Sequence, residues 1–213
     1  MFSGWIKKIR KTKKEVEKTE PTPLIASEEI QELPLCAYEG DIVVIDTPDG
    51  VEEAVNQLAG FKLLGFDTET KPAFKKGEYH DVSLLQLASD KGVYLFRLHK
   101  CGFPPALRKI LSNPEIQKLG VGIRDDIKAL NRLGNFAPES FIDLQSFVEE
   151  YGIQEKSFSK LMARIFGVKI SKRQRVSNWE NPILTEAQLR YAATDAWGAL
   201  RMYQELNENW SKE

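Results

Sequence analysis

The sequence predicts an α/β domain built on one mixed sheet that is flanked by helices. Segments typical of strands dominate the first part of the chain, and segments typical of helices dominate the part after Phe141, with some alternation. The 213 residues are 42% hydrophobic and 29% charged, which suits a single domain with a substantial core. We find no internal repeat and no apolar run long enough to cross a bilayer.

The predicted strands are short and apolar, and turn-forming residues separate them. They lie at 41–46, 62–70, 81–89, 92–98 and 116–123. The third and fourth are joined by Asp90-Lys91-Gly92, a sequence typical of a tight turn, so we expect them to form a hairpin. The polar loop after the second strand contains Lys75 and Lys76.

The predicted helices have an apolar face and recognisable ends. They lie at 49–60, 104–113, 124–134 and 184–210. Gly60 ends the first helix, and proline begins the second. Thr185 and Gln188 form a capping box that starts the last helix. The third follows the strand at 116–123 directly.

We divide the chain into a flexible basic arm at residues 1–37 and a folded domain at residues 38–213. The arm is rich in lysine near its start and contains Pro21 and Pro23. Its charges lie where a signal peptide needs an apolar segment. The aromatic residues at its start could contact a membrane surface or nucleic acid. We favour a solvated tail and do not expect membrane contact.

The overall charge of −1 and the isoelectric point of about 6.2 give no sign of a nucleic-acid partner, so such a partner requires a local basic patch. Cys36 and Cys101 stand far apart without a CxxC motif. This argues against a zinc site or a disulfide framework and favours a reducing compartment. We therefore expect a cytoplasmic location, or a nuclear one in a eukaryote. The sequence leaves the oligomeric state open.

Two acidic side chains stand at the end of the predicted strand at 62–70. Because side chains alternate along a strand, Asp67 and Glu69 share one face, while Phe66 and Thr68 share the other. Two like charges at the end of a buried strand repel each other and lose hydration. Such a pair requires a positively charged partner.

Helical periodicity directs further acidic side chains inward. In the last helix, Asp195 lies within the apolar arc, and Tyr191 stands one turn before it. In the helix at 124–134, Asp126 aligns with Leu130 and the rest of the apolar face. Asp125 aligns with charged residues and faces solvent. Four carboxylates, those of Asp67, Glu69, Asp126 and Asp195, thus point toward the interior.

A group of carboxylates without His or Cys suits the hard cations Mg²⁺ or Mn²⁺. Two such ions, about 4 Å apart, form the arrangement that stabilises the attacking and leaving oxygens in phosphodiester cleavage. Each feature alone has a simpler explanation: an Asp-x-Glu pair also occurs in turns and salt bridges, Tyr191 suits a core position, and Asp126 suits a helix start. Their joint occurrence on inward faces favours the metal site.

The motifs FDTET, GVGIRDD and YAATD resemble the three motifs of the DEDD exonuclease superfamily, in the subclass whose last motif is Tyr-x-x-x-Asp. Their order and spacing are similar to those of ribonuclease D and of the Werner exonuclease group, and SLLQLAS, VSNWE and LTEAQLRYAATDAWGALRMY share this similarity. The resemblance spans about residues 40–207 and excludes the arm. It implies a ribonuclease-H-like fold and a metal-dependent 3′-5′ exonuclease that releases nucleoside 5′-monophosphates.

By position, the resemblance assigns the metal ligands to Asp67, Glu69, Asp126 and Asp195 and gives Tyr191, together with Glu69, the role of orienting the attacking water. It favours DNA over RNA as the substrate. A catalytically inactive nucleic-acid-binding module on the same fold is the alternative, against which the complete set of carboxylates argues. An aspartyl-phosphate phosphatase fits less well, because it gives Tyr191 and Asp195 no role.

Residues 156–175 contain seven basic side chains and no acidic one, since no Asp or Glu occurs between Lys156 and Arg175. Such an island is suited to bind phosphates, although a solvated helix face explains any single member. Phe74 and Trp179 are candidates for stacking on bases, with a core role as the alternative. The predicted substrate-binding residues are Thr68, Lys75, Lys172, Arg173, Arg175 and Trp179.

Overall fold

The computed structural model describes residues 24–212, and the first part of the predicted arm lies outside these residues. Six strands form the central sheet in the order β2-β5-β4-β3-β6-β7. The strands are β1 (Leu35–Cys36), β2 (Ile42–Ile45), β3 (Leu63–Thr70), β4 (Val82–Ala88), β5 (Val93–Arg97), β6 (Gln117–Gly120), β7 (Phe141–Asp143) and β8 (Lys169–Ile170). β4 pairs antiparallel with β3 and β5, and the other neighbours pair in parallel, so the sheet is mixed, as the sequence predicts.

Helices cover both faces of the sheet. They are α1 (Ser27–Glu32), α2 (Pro48–Leu58), α3 (Leu98–Cys101), α4 (Pro105–Leu111), α5 (Arg124–Leu133), α6 (Leu144–Phe147), α7 (Phe158–Phe166) and α8 (Glu186–Asn209), with a 3-10 turn at Val148–Tyr151. The predicted capping box of Thr185 and Gln188 starts α8. No helix among residues 24–212 combines the length and the apolar character that crossing a bilayer requires.

The core consists of apolar clusters on both faces of the sheet and of a further cluster in which α6 and α7 pack around the end of α8. On one face, α2, α4 and α5 pack through residues such as Leu58, Leu107 and Leu130. On the other face, the alanines of α8 pack against β4 and β5, and Ala196 lies among them. This explains the small residues of YAATDA: a long helix that crosses a sheet closely needs short side chains at the contact.

Several predicted elements are confirmed, and others end earlier than the sequence suggests. The hairpin of β4 and β5 is present. The strand predicted at 116–123 is shorter, because Gly122 adopts a positive φ of 74° and turns the chain into α5. The segment after Phe141 is not helical at once, since it first forms the edge strand β7. Three residues are too few to show a strand periodicity.

The described part of the predicted arm, residues 24–37, forms α1 and β1. β1 pairs in parallel with β8, and the backbone N–H of Ile25 donates a hydrogen bond to Glu155 over 3.0 Å. Lys169 also donates its ammonium to the carbonyl oxygen of Gln31. These contacts fix α1 beside α7 and β8, while the division of the chain at residue 37 stays a prediction.

Candidate active site

Gly65 allows β3 and α8 to approach closely. A Cβ at Gly65 would lie 1.9 Å from the carbonyl oxygen of Ala196, so a larger residue does not fit there. Because Asp67 lies two residues further along β3, it projects from the same face toward α8. Asp195 immediately precedes Ala196 in the chain. This close approach therefore brings the two carboxylates together.

Asp67, Glu69 and Asp195 form a compact group of three half-buried carboxylates. One oxygen from each side chain lies within 4.8 Å of the others. Among residues 24–212, no Lys, Arg or His forms an ion pair with any of the three. Within the part of the chain that the structure describes, the three carboxylates therefore lie together without an ion-pair partner.

The pKa values of these groups reflect burial and mutual repulsion. Desolvation, followed by the charges of Asp195, Glu69 and Asp126, raises the pKa of Asp67 well above its ordinary value. Desolvation and the charges of Asp195 and Asp126 raise the pKa of Glu69 to about 9. Desolvation also raises the pKa of Asp195, and the hydroxyl of Tyr191 opposes that rise by donating a hydrogen bond. A neighbouring cation would therefore favour the ionised form of each group.

The donor set fits a hard divalent cation. All three side chains offer carboxylate oxygens, which Mg²⁺ and Mn²⁺ prefer, and no His or Cys belongs to the group. A cation at this position would favour the ionised forms, against the desolvation that raises all three pKa values and the repulsion that further raises those of Asp67 and Glu69. Asp67, Glu69 and Asp195 are therefore the residues that could hold a metal.

Asp126 occupies a position beside this group rather than within it. Thr68 lies on the opposite face of β3 from Asp67 and donates its hydroxyl to the carboxylate of Asp126. Desolvation raises the pKa of Asp126, and this hydrogen bond opposes the rise. Asp125 is exposed and forms an ion pair of 2.8 Å with Lys128. The structure thus places Asp126 inward and Asp125 in solvent, as helical periodicity predicts, but separates Asp126 from the three clustered carboxylates.

Tyr191 lies one helical turn before Asp195 and donates its hydroxyl to that carboxylate. Desolvation and the charges of Asp195, Glu69 and Asp67 raise the pKa of Tyr191 far above the ordinary value. The phenol therefore stays protonated across the physiological range. A protonated hydroxyl at this position is able to donate a hydrogen bond toward the carboxylate group.

Trp179 lies in the core, which favours its core role over stacking on a base. Its side chain is 0% exposed, and its ring lies 6.1 Å from that of Tyr191 at 32°. Its indole N–H has no hydrogen bond of ordinary geometry among the described residues. It nevertheless lies near enough to Glu69 to lower the pKa of that carboxyl. Trp179 thus contacts both groups that were predicted to orient water.

A cavity of about 200 Å³ opens beside the carboxylates. Asp67 and Asp195 line it, together with the predicted phosphate-binding residues Lys172 and Arg175. Phe158 of α7 contributes an apolar wall. Positive charge therefore borders the negative group on one side, which suits a ligand whose phosphate bridges the two.

The other predicted substrate-binding residues are more scattered. Arg173 is exposed and lines a neighbouring cavity. Lys75 is exposed in the loop after β3, beside Phe74, whose side chain is 82% exposed. The hydroxyl of Thr68 is engaged by Asp126. Of the six, Lys172 and Arg175 line the cavity that also contains Asp67 and Asp195.

Gln86 is a polar residue near the site that sequence reasoning missed. It lies opposite Asp67 in the β3–β4 register and is fully buried. Neither its side-chain oxygen nor its nitrogen has a hydrogen-bond partner among the described residues. A lone glutamine within the apolar run SLLQLA was the available signal, because burying an amide requires compensation.

The chain matches the protein family described as 3′-5′ exonuclease over residues 42–210. It is 35% identical over 184 residues to the bifunctional 3′-5′ exonuclease/ATP-dependent helicase WRN of Mus musculus, with 82% of this chain and 13% of that protein covered. It is 29% identical over 176 residues to ribonuclease D of Gluconacetobacter diazotrophicus, with 81% and 44% covered. The chain thus spans less than half the length of both relatives.

Solved structures show the same fold. The Nibbler EXO domain of Aedes aegypti is similar with a TM-score of 0.72 and 26% identity, over 81% of this chain and 91% of that one. Ribonuclease D of Escherichia coli has a TM-score of 0.71 at 24% identity, over 78% and 44%. The expected ribonuclease-H-like fold is confirmed. The chain belongs to the 3′-5′ exonuclease family.

Proposed function

We propose that this chain hydrolyses the terminal phosphodiester at a nucleic acid 3′ end and releases nucleoside 5′-monophosphates. One observation carries the proposal: Asp67, Glu69 and Asp195 converge within 4.8 Å beside a cavity lined by Lys172 and Arg175. Carboxylates without a protein cation suit divalent ions, and adjacent basic side chains suit a phosphate. The family match supports the same conclusion.

The cations in this proposal are two Mg²⁺ or Mn²⁺ ions held mainly by Asp67, Glu69 and Asp195. When bound, they supply the positive charge that activates water and stabilises the leaving 3′ oxygen. Four positive charges would balance the charge of these three carboxylates and Asp126. Asp126, held by the hydroxyl of Thr68, would contribute through water or by steadying the neighbouring strand end.

Tyr191 and Glu69 orient the attacking water in this mechanism. The phenol stays protonated and donates its one proton to Asp195, so its oxygen accepts one hydrogen bond from the attacking water, and the carboxylate of Glu69 accepts the other. Lys172 and Arg175, which line the same cavity as Asp67 and Asp195, bind the phosphate oxygens.

We propose DNA as the preferred substrate, on the strength of the similarity to the Werner exonuclease group. The curated relatives include DNA polymerase I of Aquifex aeolicus as well as ribonuclease D, so the family comprises proteins named for each nucleic acid.

The free, buried thiols of Cys36 and Cys101 support the proposal of a reducing, cytoplasmic location.

Degradation of a 5′-labelled oligonucleotide in the presence of Mn²⁺ tests the proposal. A 3′-5′ exonuclease produces a ladder of labelled products that shorten from the unlabelled end, together with free 5′-monophosphates. Matched DNA and RNA strands compare the two substrates in one experiment. Tight binding without products would instead support a non-catalytic nucleic-acid-binding module and contradict the proposed hydrolysis.

A further inference from the structure

A second cavity, which we call the α1 cavity, adjoins the candidate active site. Its volume is about 470 Å³, within the range of about 300–1,000 Å³ that ligand sites occupy. Its wall is formed by α1 on one side and by α7, β8 and the segment after β8 on the other. Ser159, Ile170 and Lys172 line both this cavity and the one that contains Asp67 and Asp195. The two cavities therefore adjoin, with these three residues between them.

The α1 cavity is positively charged. Four basic side chains line it and no Asp or Glu does; the four are Lys160, Lys169, Lys172 and Arg173. Lys169 is engaged by the carbonyl oxygen of Gln31. Lys160, Lys172 and Arg173 form no ion pair among residues 24–212. The cavity therefore offers cationic groups that a polyanion would neutralise.

Polar groups complete the lining. Ser27 and Gln31 of α1 face the hydroxyl-bearing residues Ser159 and Ser171 across the cavity. Hydroxyl and amide groups donate hydrogen bonds to phosphate oxygens, as they do in most phosphate contacts of nucleic-acid-binding proteins. Because the contacts of Ile25 and Gln31 fix α1 against the domain, this wall is preformed.

We propose that the α1 cavity binds the phosphodiester backbone of the substrate strand on the 5′ side of the nucleotide being removed. This inference rests on the proposed function and extends it. A strand whose last phosphate lies at the carboxylates continues past Lys172, the residue that both cavities share, and enters the positively charged α1 cavity. Part of the predicted arm thereby becomes part of the substrate path.

Two substitutions test the cavity without altering the carboxylates. Gln31→Glu places a negative charge on an exposed position of the wall with almost no change in size, and Lys160→Gln removes one positive charge. The double variant Asn56→Asp/Lys109→Gln makes the same change in charge at exposed positions of α2 and α4 and serves as the control. The substrates are single-stranded oligonucleotides of graded length and the p-nitrophenyl ester of thymidine 5′-monophosphate, which lacks an upstream backbone.

For the unaltered chain we expect KM to fall as the oligonucleotide lengthens. Gln31→Glu/Lys160→Gln should raise KM for long strands about 3- to 10-fold, reduce the dependence on length, and leave hydrolysis of the ester unchanged. The slope of log affinity against log salt should decrease by about 0.7 for Lys160→Gln alone, the value for one phosphate contact in a single strand. The control variant should behave like the unaltered chain.

Equal KM values for the test and control variants on every strand would overturn the proposal. The proposal would also be overturned if KM did not depend on strand length and if a free nucleotide inhibited the unaltered chain but not Gln31→Glu. That result would assign the cavity to nucleotides. If the unaltered chain hydrolysed neither substrate, the proposed function would fail. Fluorescence anisotropy of labelled oligonucleotides then tests the role of the cavity separately. Equal oligonucleotide affinity in the unaltered chain and the test variant would contradict the proposal for the cavity.

Discussion

Gly65 and Ala196 are in direct backbone contact, since a Cβ at Gly65 would lie 1.9 Å from the carbonyl oxygen of Ala196. This contact fixes the separation between β3 and α8, from which Asp67 and Asp195 project. The geometry of the carboxylate group therefore depends on a glycine that carries no functional group of its own.

Gly65→Ala should separate α8 from β3. We expect it to destabilise the fold by about 1–3 kcal/mol or more, because backbone atoms cannot yield as a flexible side chain does. Activity should fall further than stability alone explains, since Asp67 and Asp195 move apart. Thermal unfolding and exonuclease assays measure the two effects. Gly60→Ala is the matched control: its Cβ would meet its nearest neighbour at 3.7 Å, an ordinary contact.

Asp67→Asn should abolish hydrolysis while the fold remains intact. The substitution removes a candidate metal ligand but little volume, so we expect a loss of activity of about 10³-fold or more. Without metal, Tm should stay the same or rise, because one of three repelling carboxylates becomes neutral. The increase in Tm that Mn²⁺ gives the unaltered chain should be smaller. Activity equal to that of the unaltered chain would refute the assignment of this ligand.

The stability of the metal-free chain should decrease as pH rises. The pKa of Glu69 is about 9 in the fold, against an ordinary value of 4.5, so between these values the folded chain binds a proton that the unfolded chain has lost. The contribution of this group to stability is therefore fully present below about pH 4.5 and is lost as pH rises toward 9. Urea unfolding across this range measures the decline.

Two comparisons isolate that effect. Glu69→Gln should have a shallower dependence on pH than the unaltered chain, because its side chain does not titrate. Saturating Mn²⁺ should also reduce the decline, since a cation favours the ionised carboxylates and binds more tightly as they lose protons. An identical pH dependence in all three samples would show that Glu69 does not titrate as described.

Tyr191→Phe should slow the chemical step and spare the binding of metal. The variant keeps the ring that packs against Trp179 and loses only the hydroxyl that contacts Asp195. We expect kcat to fall by about 10–10³-fold, the range for a positioned group that acts on a proton or a water molecule. Isothermal calorimetry with Mn²⁺ should give a similar Kd for both chains. A large loss of metal affinity would assign Tyr191 a different role.

Trp179→Phe tests whether the indole N–H positions Glu69. Phenylalanine keeps an aromatic ring against Tyr191 but removes the N–H beside the carboxylate, so we expect lower kcat with KM for oligonucleotides unchanged. The pH profile of kcat should shift as well, which a purely structural role would not cause. Trp210→Phe, in the apolar cluster around the end of α8, is the control for a generic aromatic substitution.

Periodicity in the sequence predicted the features that depend on local pattern. The alternation of β3 put Asp67 and Glu69 on one face, and the apolar arc of α8 put Asp195 and Tyr191 on the inner side. Helical spacing also separated Asp126 from the exposed Asp125. These are short-range relationships, which the geometry of a helix or strand determines.

Features that depend on contacts between distant segments were missed or left open. Burial of Trp179 results from packing against α8, and the sequence of its own loop does not show this. The contact of Thr68 with Asp126 depends on how β3 packs against α5, which begins just after the turn at Gly122 and is distant from β3 in the sequence. β1 and β7 are too short for a periodic signal, because tertiary pairing alone defines them.

An anomalous difference map from crystals soaked in Mn²⁺ tests the central claim most directly. The account predicts manganese peaks between the oxygens of Asp67, Glu69 and Asp195, at coordination distances of about 2.0–2.3 Å. Tyr191 should lie beside them. A map without a peak at these three carboxylates, or with manganese bound only elsewhere on the chain, would contradict the account.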